Sequence, residues 1–167
     1  PNGSGKSTLL GLIAKVFYPG EGTIEINSSQ IGYVGVTPLI MDASLRENLL
    51  YGNTTKKDDQ EVMKLIKEFE LFNNEEKGLD TIINSKSLSS GQMQKISFIR
   101  SLLSKTKILL LDESTSNLDI ATKDLIFKIL KTKDITIINS THNKDDFEYD
   151  FHINISYVDD KRSVDFI

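Results

Sequence analysis

The segment LLLDE, residues 109 to 113, constrains the fold more than any other stretch of the chain. The run Lys107 to Leu111 that contains most of it is apolar without alternation and short. Such a run suits a strand buried on both faces, which requires a largely parallel sheet covered by helices on each side. The remaining sequence has the matching pattern. Leu9, Leu10, Leu12, Ile13 and Val16 recur at helical spacing over Lys6 to Val16, and Tyr18-Pro19-Gly20 ends that segment. Thr23 to Ile26 and Ile31 to Val36 read as short strands around the turn-prone Asn27-Ser28-Ser29. Asp42 is placed to cap a helix over Ser44 to Leu50, and Lys57 to Phe72 is a longer amphipathic helix. Ser89 or Ser90 starts another, with Ile96, Ile99, Leu102 and Leu103 on one side. Leu118 to Leu130 is helical in pattern, while Ile135 to Asn139 and Phe151 to Ser156 are β-rich. Strands alternating with helices predict an α/β domain. The nearly all-helical stretch from about Ser44 to Ser104 reads as a subdomain inserted into the sheet.

Composition narrows the chemistry. A hydrophobic fraction of 38%, a charged fraction of 26% and a net charge of −4 describe an ordinary folded domain, without the basic excess of a nucleic-acid binder. No cysteine is present, which excludes disulfide scaffolds and thiolate metal sites. His142 and His152 are too few for a histidine-built zinc centre without carboxylate help. No apolar run reaches the roughly 20 residues of a membrane-spanning helix, and no signal peptide is visible. Any membrane-spanning part of a machine that uses this chain lies elsewhere.

The chain starts PNGSGKST, and Gly3, Gly5, Lys6 and Ser7 match the end of the phosphate-loop pattern G-x-x-x-x-G-K-[ST]. Glycines let backbone N–H groups converge on phosphate oxygens, and the following helix presents the positive end of its dipole. Lys6 would reach the β- and γ-phosphates, Ser7 would ligate Mg²⁺, and Thr8 would add a donor near the α-phosphate. The ordinary alternative is a Gly/Ser turn that merely starts a helix. The first Gly of the pattern would fall before Pro1, so the motif is incomplete as it stands.

Strand C-termini border the ligand crevice of a parallel sheet. Asp112 therefore belongs beside the phosphate loop as a Mg²⁺ holder, and Glu113 can polarise an attacking water as general base. His142 follows the β run 135–141, where an imidazole can donate to the γ-phosphate and steady the catalytic carboxylate. An ordinary surface histidine is the alternative. His152 receives no role.

LSSGQMQKISFIRSLL, from residue 88, resembles the signature segment of ATP-binding cassette (ABC) ATPases. GSGKST, YVGVTP, LSSGQ, LLLDE, SNLD at 116 to 119 and STH at 140 to 142 follow in that family's order across nearly the whole chain. The resemblance implies a P-loop NTPase (RecA-like) parallel-sheet core with an inserted helical subdomain. Residues 1–43 and 105–167 would form the core, and 44–104 the helical signature subdomain. It implies ATP and Mg²⁺ as cofactors, with Asn2, Gly3, Ser4, Gly5, Lys6, Ser7 and Thr8 around the phosphates. Ser7 and Asp112 would hold the metal, and Lys6, Glu113 and His142 would be catalytic. It also implies a head-to-tail pair of such domains, with Ser89, Gly91 and Gln92 reaching the γ-phosphate held by the partner and Asp119 at the interface. The same Ser89 is a natural helix cap, and both roles use one helix terminus. MDASLRENLLYG, 41 to 52, resembles the segment that lies against the transmembrane part in exporters. Transport at the cytoplasmic face of a membrane follows as an expectation.

Departures from the pattern carry expectations of their own. Alignment on Pro38 and RENL puts Val36 where the family has a metal- and water-binding Gln, which predicts slower hydrolysis with ATP binding largely kept. Asn84 to Ser87 is a short connection where exporters carry a longer acidic stretch, and the linker between Ile26 and Ile31 is short too. The adenine-stacking aromatic and the strand before the phosphate loop would lie upstream of Pro1, so the start reads as a truncation and the fragment alone is expected to bind ATP poorly. Two other classes compete. A weakened regulatory ABC domain is favoured by Val36 and opposed by the intact Glu113 and His142. A DNA-repair-type ABC ATPase would need a long heptad run between Lys6 and Ser89 or a basic stripe, and the sequence has neither.

Overall fold

The computed structural model describes residues 4–53, 57–72, 77–141, 148–158 and 161–166. Its core is a three-stranded parallel sheet in the order β1, β4, β5, formed by Ile31–Val34, Ile108–Asp112 and Thr136–Ser140. β4 lies in the middle, as its unbroken apolar run requires. Leu109, Leu110 and Leu111 have no solvent exposure, and each such burial contributes roughly 1.5–3 kcal/mol. The helices α1 (Lys6–Ile13), α2 (Leu45–Leu50), α3 (Asp59–Glu68), α4 (Ser90–Leu103) and α5 (Ile120–Lys131) complete the α/β architecture. One apolar cluster joins Val34 of β1 and Leu109 of β4 to Leu49, Val62, Phe98 and Ile126 on four of those helices.

Several elements differ from their sequence expectation for local reasons. α1 stops at Ile13 rather than Val16 because Lys15 takes a left-handed backbone (φ 59°) and the Val16 N–H turns back to the Gly11 carbonyl at 2.9 Å. The Phe17 ring then lies over Gly11, where a Cβ would come within 2.5 Å of it. Residues 23–26 form no strand. None of the described strands pairs with them, and Ile24 is exposed. The stretch from Ser44 to Ser104 is interrupted by β3 (Ile82–Ile83), which pairs antiparallel with β2 (Ala43–Ser44). A hairpin of β6 (Ile153–Val158) and β7 (Lys161–Phe166) forms a separate two-stranded sheet.

Asp42 does not cap α2. Ser44 does, accepting from the Glu47 N–H at 3.2 Å while the Glu47 carboxylate accepts from the Ser44 N–H at 2.8 Å. These bonds to Ser44, its hydroxyl first, hold Glu47 below the usual carboxylate range. Ser44→Ala is expected to cost about 1 kcal/mol of stability, read as a lowered denaturation midpoint at unchanged slope. Asp42→Ala should leave that midpoint where it is.

Candidate nucleotide site

The start of α1 is built differently from every other described helix. Gly5 occupies the N-cap position with φ 99°, a left-handed backbone that suits glycine, and no side chain caps the helix. The other four described helices are each capped, by Ser44, Asp58, Ser89 and Asp119. The first turn of α1 also contains no acidic residue. A helix start that no side chain of the protein caps suits an anion. Lys6 Nζ donates to Ser4 Oγ at 3.3 Å, and Ser4 is buried. Thr8 is exposed on the same turn. Asn2 and Gly3 lie outside the described residues.

Asp112, at the end of β4 and almost buried, meets that turn. The Ser7 hydroxyl donates to Asp112 Oδ1 at 3.0 Å across 105 positions of sequence. From the neighbouring strand the Tyr33 hydroxyl donates to Asp112 Oδ2 at 2.7 Å. Burial, then the bond to Asp112 and its negative charge, push the Tyr33 phenol up to about 12, so it stays a donor at neutral pH. The donor set fits Mg²⁺. A hydroxyl that donates to a carboxylate keeps lone pairs for a cation, and Mg²⁺ commonly takes one or two protein oxygens and completes its shell with phosphate and water. No group of three or more His, Asp or Glu that could hold a metal by itself occurs among the described residues.

Glu113, one residue on, adopts φ 50°, an unusual backbone for a non-glycine residue. Its N–H donates to the Ser140 carbonyl at 3.0 Å, and its carbonyl accepts from the Ser116 hydroxyl at 2.8 Å. These bonds hold the chain in the strained turn. Ser140 pairs with Asp112 in register, which brings the segment leading toward His142 to the same sheet end. His142 itself lies outside the described residues.

The start of α4 carries a full capping box. Ser89 Oγ accepts from the Gln92 N–H at 3.2 Å, and Gln92 Oε1 accepts from the Ser89 N–H at 2.9 Å. The Ser89 hydroxyl keeps its own proton for a further acceptor. A Cβ at Gly91 would meet nothing nearer than 3.9 Å, with Ser89 and Thr122 as neighbours. Packing within the chain therefore does not demand glycine there. Asp119 caps α5 beside it, accepting from the Thr122 N–H and hydroxyl, each at 2.9 Å. Those two bonds, and then the charge of Lys95, hold Asp119 below the usual carboxylate range.

Two participants escape a reading by motif. Tyr33 is one. Gln94 is the other, a buried side chain whose Nε2 donates to the Gly35 carbonyl at 2.9 Å and to the Ser114 carbonyl. It ties α4 to the segment after β1 and to the turn after Glu113. The signal available was a polar residue four positions before Phe98, on the buried face of α4. Six residues on, Arg100 donates to the carbonyls of Asn48 at 2.8 Å and Leu39 at 2.9 Å. Burial lowers its guanidinium from the ordinary value. Val36 lies between these anchors, 43% exposed and without a polar side-chain atom.

A parallel sheet whose central strand ends in Asp-Glu beside a glycine-started, uncapped helix is the architecture of P-loop nucleotide-binding domains. The ABC transporter family model matches residues 1–116. The ATP-dependent permease MDL1 of Candida albicans is 34% identical over 163 residues, covering 85% of this chain and 24% of the permease. The lactococcin-A transport/processing ATP-binding protein LcnC of Lactococcus lactis subsp. lactis is 38% identical over 158 residues, covering 84% and 22% respectively. A bacterial Atm1-family ABC exporter solved with ATP bound superposes with a TM-score of 0.76 at 26% identity, over 86% of this chain and 28% of the exporter. The chain thus belongs to the ABC transporter family, and it spans about a quarter of the length of the curated relatives it matches.

Proposed function

We propose that this chain is the ATP-hydrolysing domain of an ABC exporter. The observation that carries the reading is the 3.0 Å bond between Ser7 and Asp112, which joins the uncapped start of α1 to the carboxylate end of β4. A phosphate chain laid on α1 would meet the leading N–H groups, with Lys6 at its β- and γ-oxygens and Asn2, Gly3, Ser4, Gly5 and Thr8 lining the loop. Ser7 and Asp112 would hold Mg²⁺, which when bound neutralises charge on those oxygens. Glu113 accepts the proton of the water that attacks the γ-phosphorus, and His142 steadies the γ-phosphate.

The open face over Gly91 and the spare Ser89 proton support a composite site. In it the start of α4, with Gln92 fixing Ser89, covers the γ-phosphate held by a second domain in head-to-tail arrangement. Asp119, beside Gly91, would line that junction. Among the described residues no helix is long and apolar enough to cross a membrane. In this reading the transmembrane part of the exporter supplies the passage, and the chain works at its cytoplasmic face with no nucleic-acid partner. Residues 1–43 and 105–167 act as the nucleotide core, with 44–104 as the arm carrying the signature helix.

Mg²⁺-dependent ATP turnover by the intact protein tests the reading; absence of both turnover and nucleotide binding would overturn it. A second reading, a slow regulatory domain, is favoured by one observation: Val36, in the segment after β1, has no polar side-chain atom. A hydrogen bond to a charged group is worth about 1.5 kcal/mol, so Val36→Gln is expected to raise turnover about tenfold. Equal rates for the two proteins would show that Val36 sets no limit.

A further inference from the structure

Asp112 has two carboxylate oxygens and each already accepts a hydroxyl proton, Oδ1 from Ser7 on α1 and Oδ2 from Tyr33 on β1. A carboxylate in this position can only accept, so the direction of both bonds is settled by chemistry. The Tyr33 bond, at 2.7 Å, has the length of a charge-assisted contact. It spans adjacent strands of one sheet, where Tyr33 pairs in register with Leu110, two residues before Asp112. Three positions beyond Tyr33, Val36 has no polar side-chain atom. The phenol is thus the oxygen that this strand end brings to the carboxylate.

The geometry points to Tyr33 as a positioning residue for the divalent-cation site: it holds Asp112 Oδ2 so that Oδ1 stays aligned with Ser7 for Mg²⁺ carried in by the nucleotide. This inference rests on the ATP reading above. Ser7 and Asp112 would hold the ion, and Tyr33 would act on it through Asp112. Without the phenol, the carboxylate can rotate about its Cβ–Cγ bond and the 3.0 Å Ser7–Asp112 geometry is no longer imposed from both sides. Partners of this kind behind a ligating group typically change metal affinity by about 10–100-fold when removed.

Tyr33→Phe retains the ring, and its side chain is partly exposed, so the fold has little to lose. The intact protein and this variant are compared with a fluorescent ATP analogue in two titrations, one in EDTA and one with increasing Mg²⁺ at fixed analogue. The expected result is unchanged affinity in EDTA, with the Mg²⁺ concentration giving half of the metal-induced signal raised about tenfold in the variant. Equal Mg²⁺ midpoints overturn the inference while leaving the nucleotide reading intact. A loss of affinity in EDTA also overturns it, by showing that Tyr33 supports the fold of the loop rather than the cation. No binding by the unmodified protein in either titration removes the nucleotide reading and the inference together.

Discussion

Glu113→Gln is expected to lower ATP turnover by roughly two to four orders of magnitude, because a positioned general base contributes about that much to a hydrolytic step. The amide is isosteric and cannot take a proton from water. The backbone turn that carries it is held by Ser140 and Ser116 through main-chain atoms, and those bonds do not depend on the side chain. Nucleotide affinity should therefore survive, since Lys6, Ser7 and Asp112 are untouched. Steady-state turnover and equilibrium binding on the same preparation separate the two quantities. If turnover falls less than tenfold, Glu113 is not the base, and the strained φ of 50° needs another explanation.

Gln94→Leu should be the most damaging of the buried substitutions. The side chain is nearly inaccessible, and its amide serves the Gly35 and Ser114 carbonyls together. Leucine fills a similar volume but leaves both acceptors without a partner. At about 1–3 kcal/mol for each stranded polar group, a total near 3 kcal/mol follows, or roughly a 10 °C drop in melting temperature for a chain of this size. Differential scanning calorimetry gives the answer directly. An unchanged melting temperature would mean that Gln94 fills space and no more.

The two substitutions bear on how much of the molecule the sequence discloses. β4 and its terminal Asp112-Glu113 were readable because four neighbouring residues, Ile108 to Leu111, all demand the same environment. α3, α4 and α5 were readable from spacing, and the cap of α4 from its serine, whereas the caps Asp58 of α3 and Asp119 of α5 were not read from the sequence. Asp42 misled because two candidate caps stand two positions apart, and only the reciprocal bond with Glu47 decides for Ser44. β3 was missed because two residues carry no period at all. Tyr33 and Gln94 were missed for a different reason. Their partners lie 79, 59 and 20 positions away, and a phenol or an amide has no local pattern that names a distant acceptor. Local chemistry was visible where one segment completes it, and hidden where two segments must meet.

Helix α4 has 14 residues and so a length of about 21 Å. Its first turn presents Ser89 and Gly91, its second fastens Gln94 to the strand ends, and its third grips Leu39 and Asn48 through Arg100. The groups at the tip of this helix and the carbonyls of Leu39 and Asn48 are thus fastened to one continuous hydrogen-bonded rod.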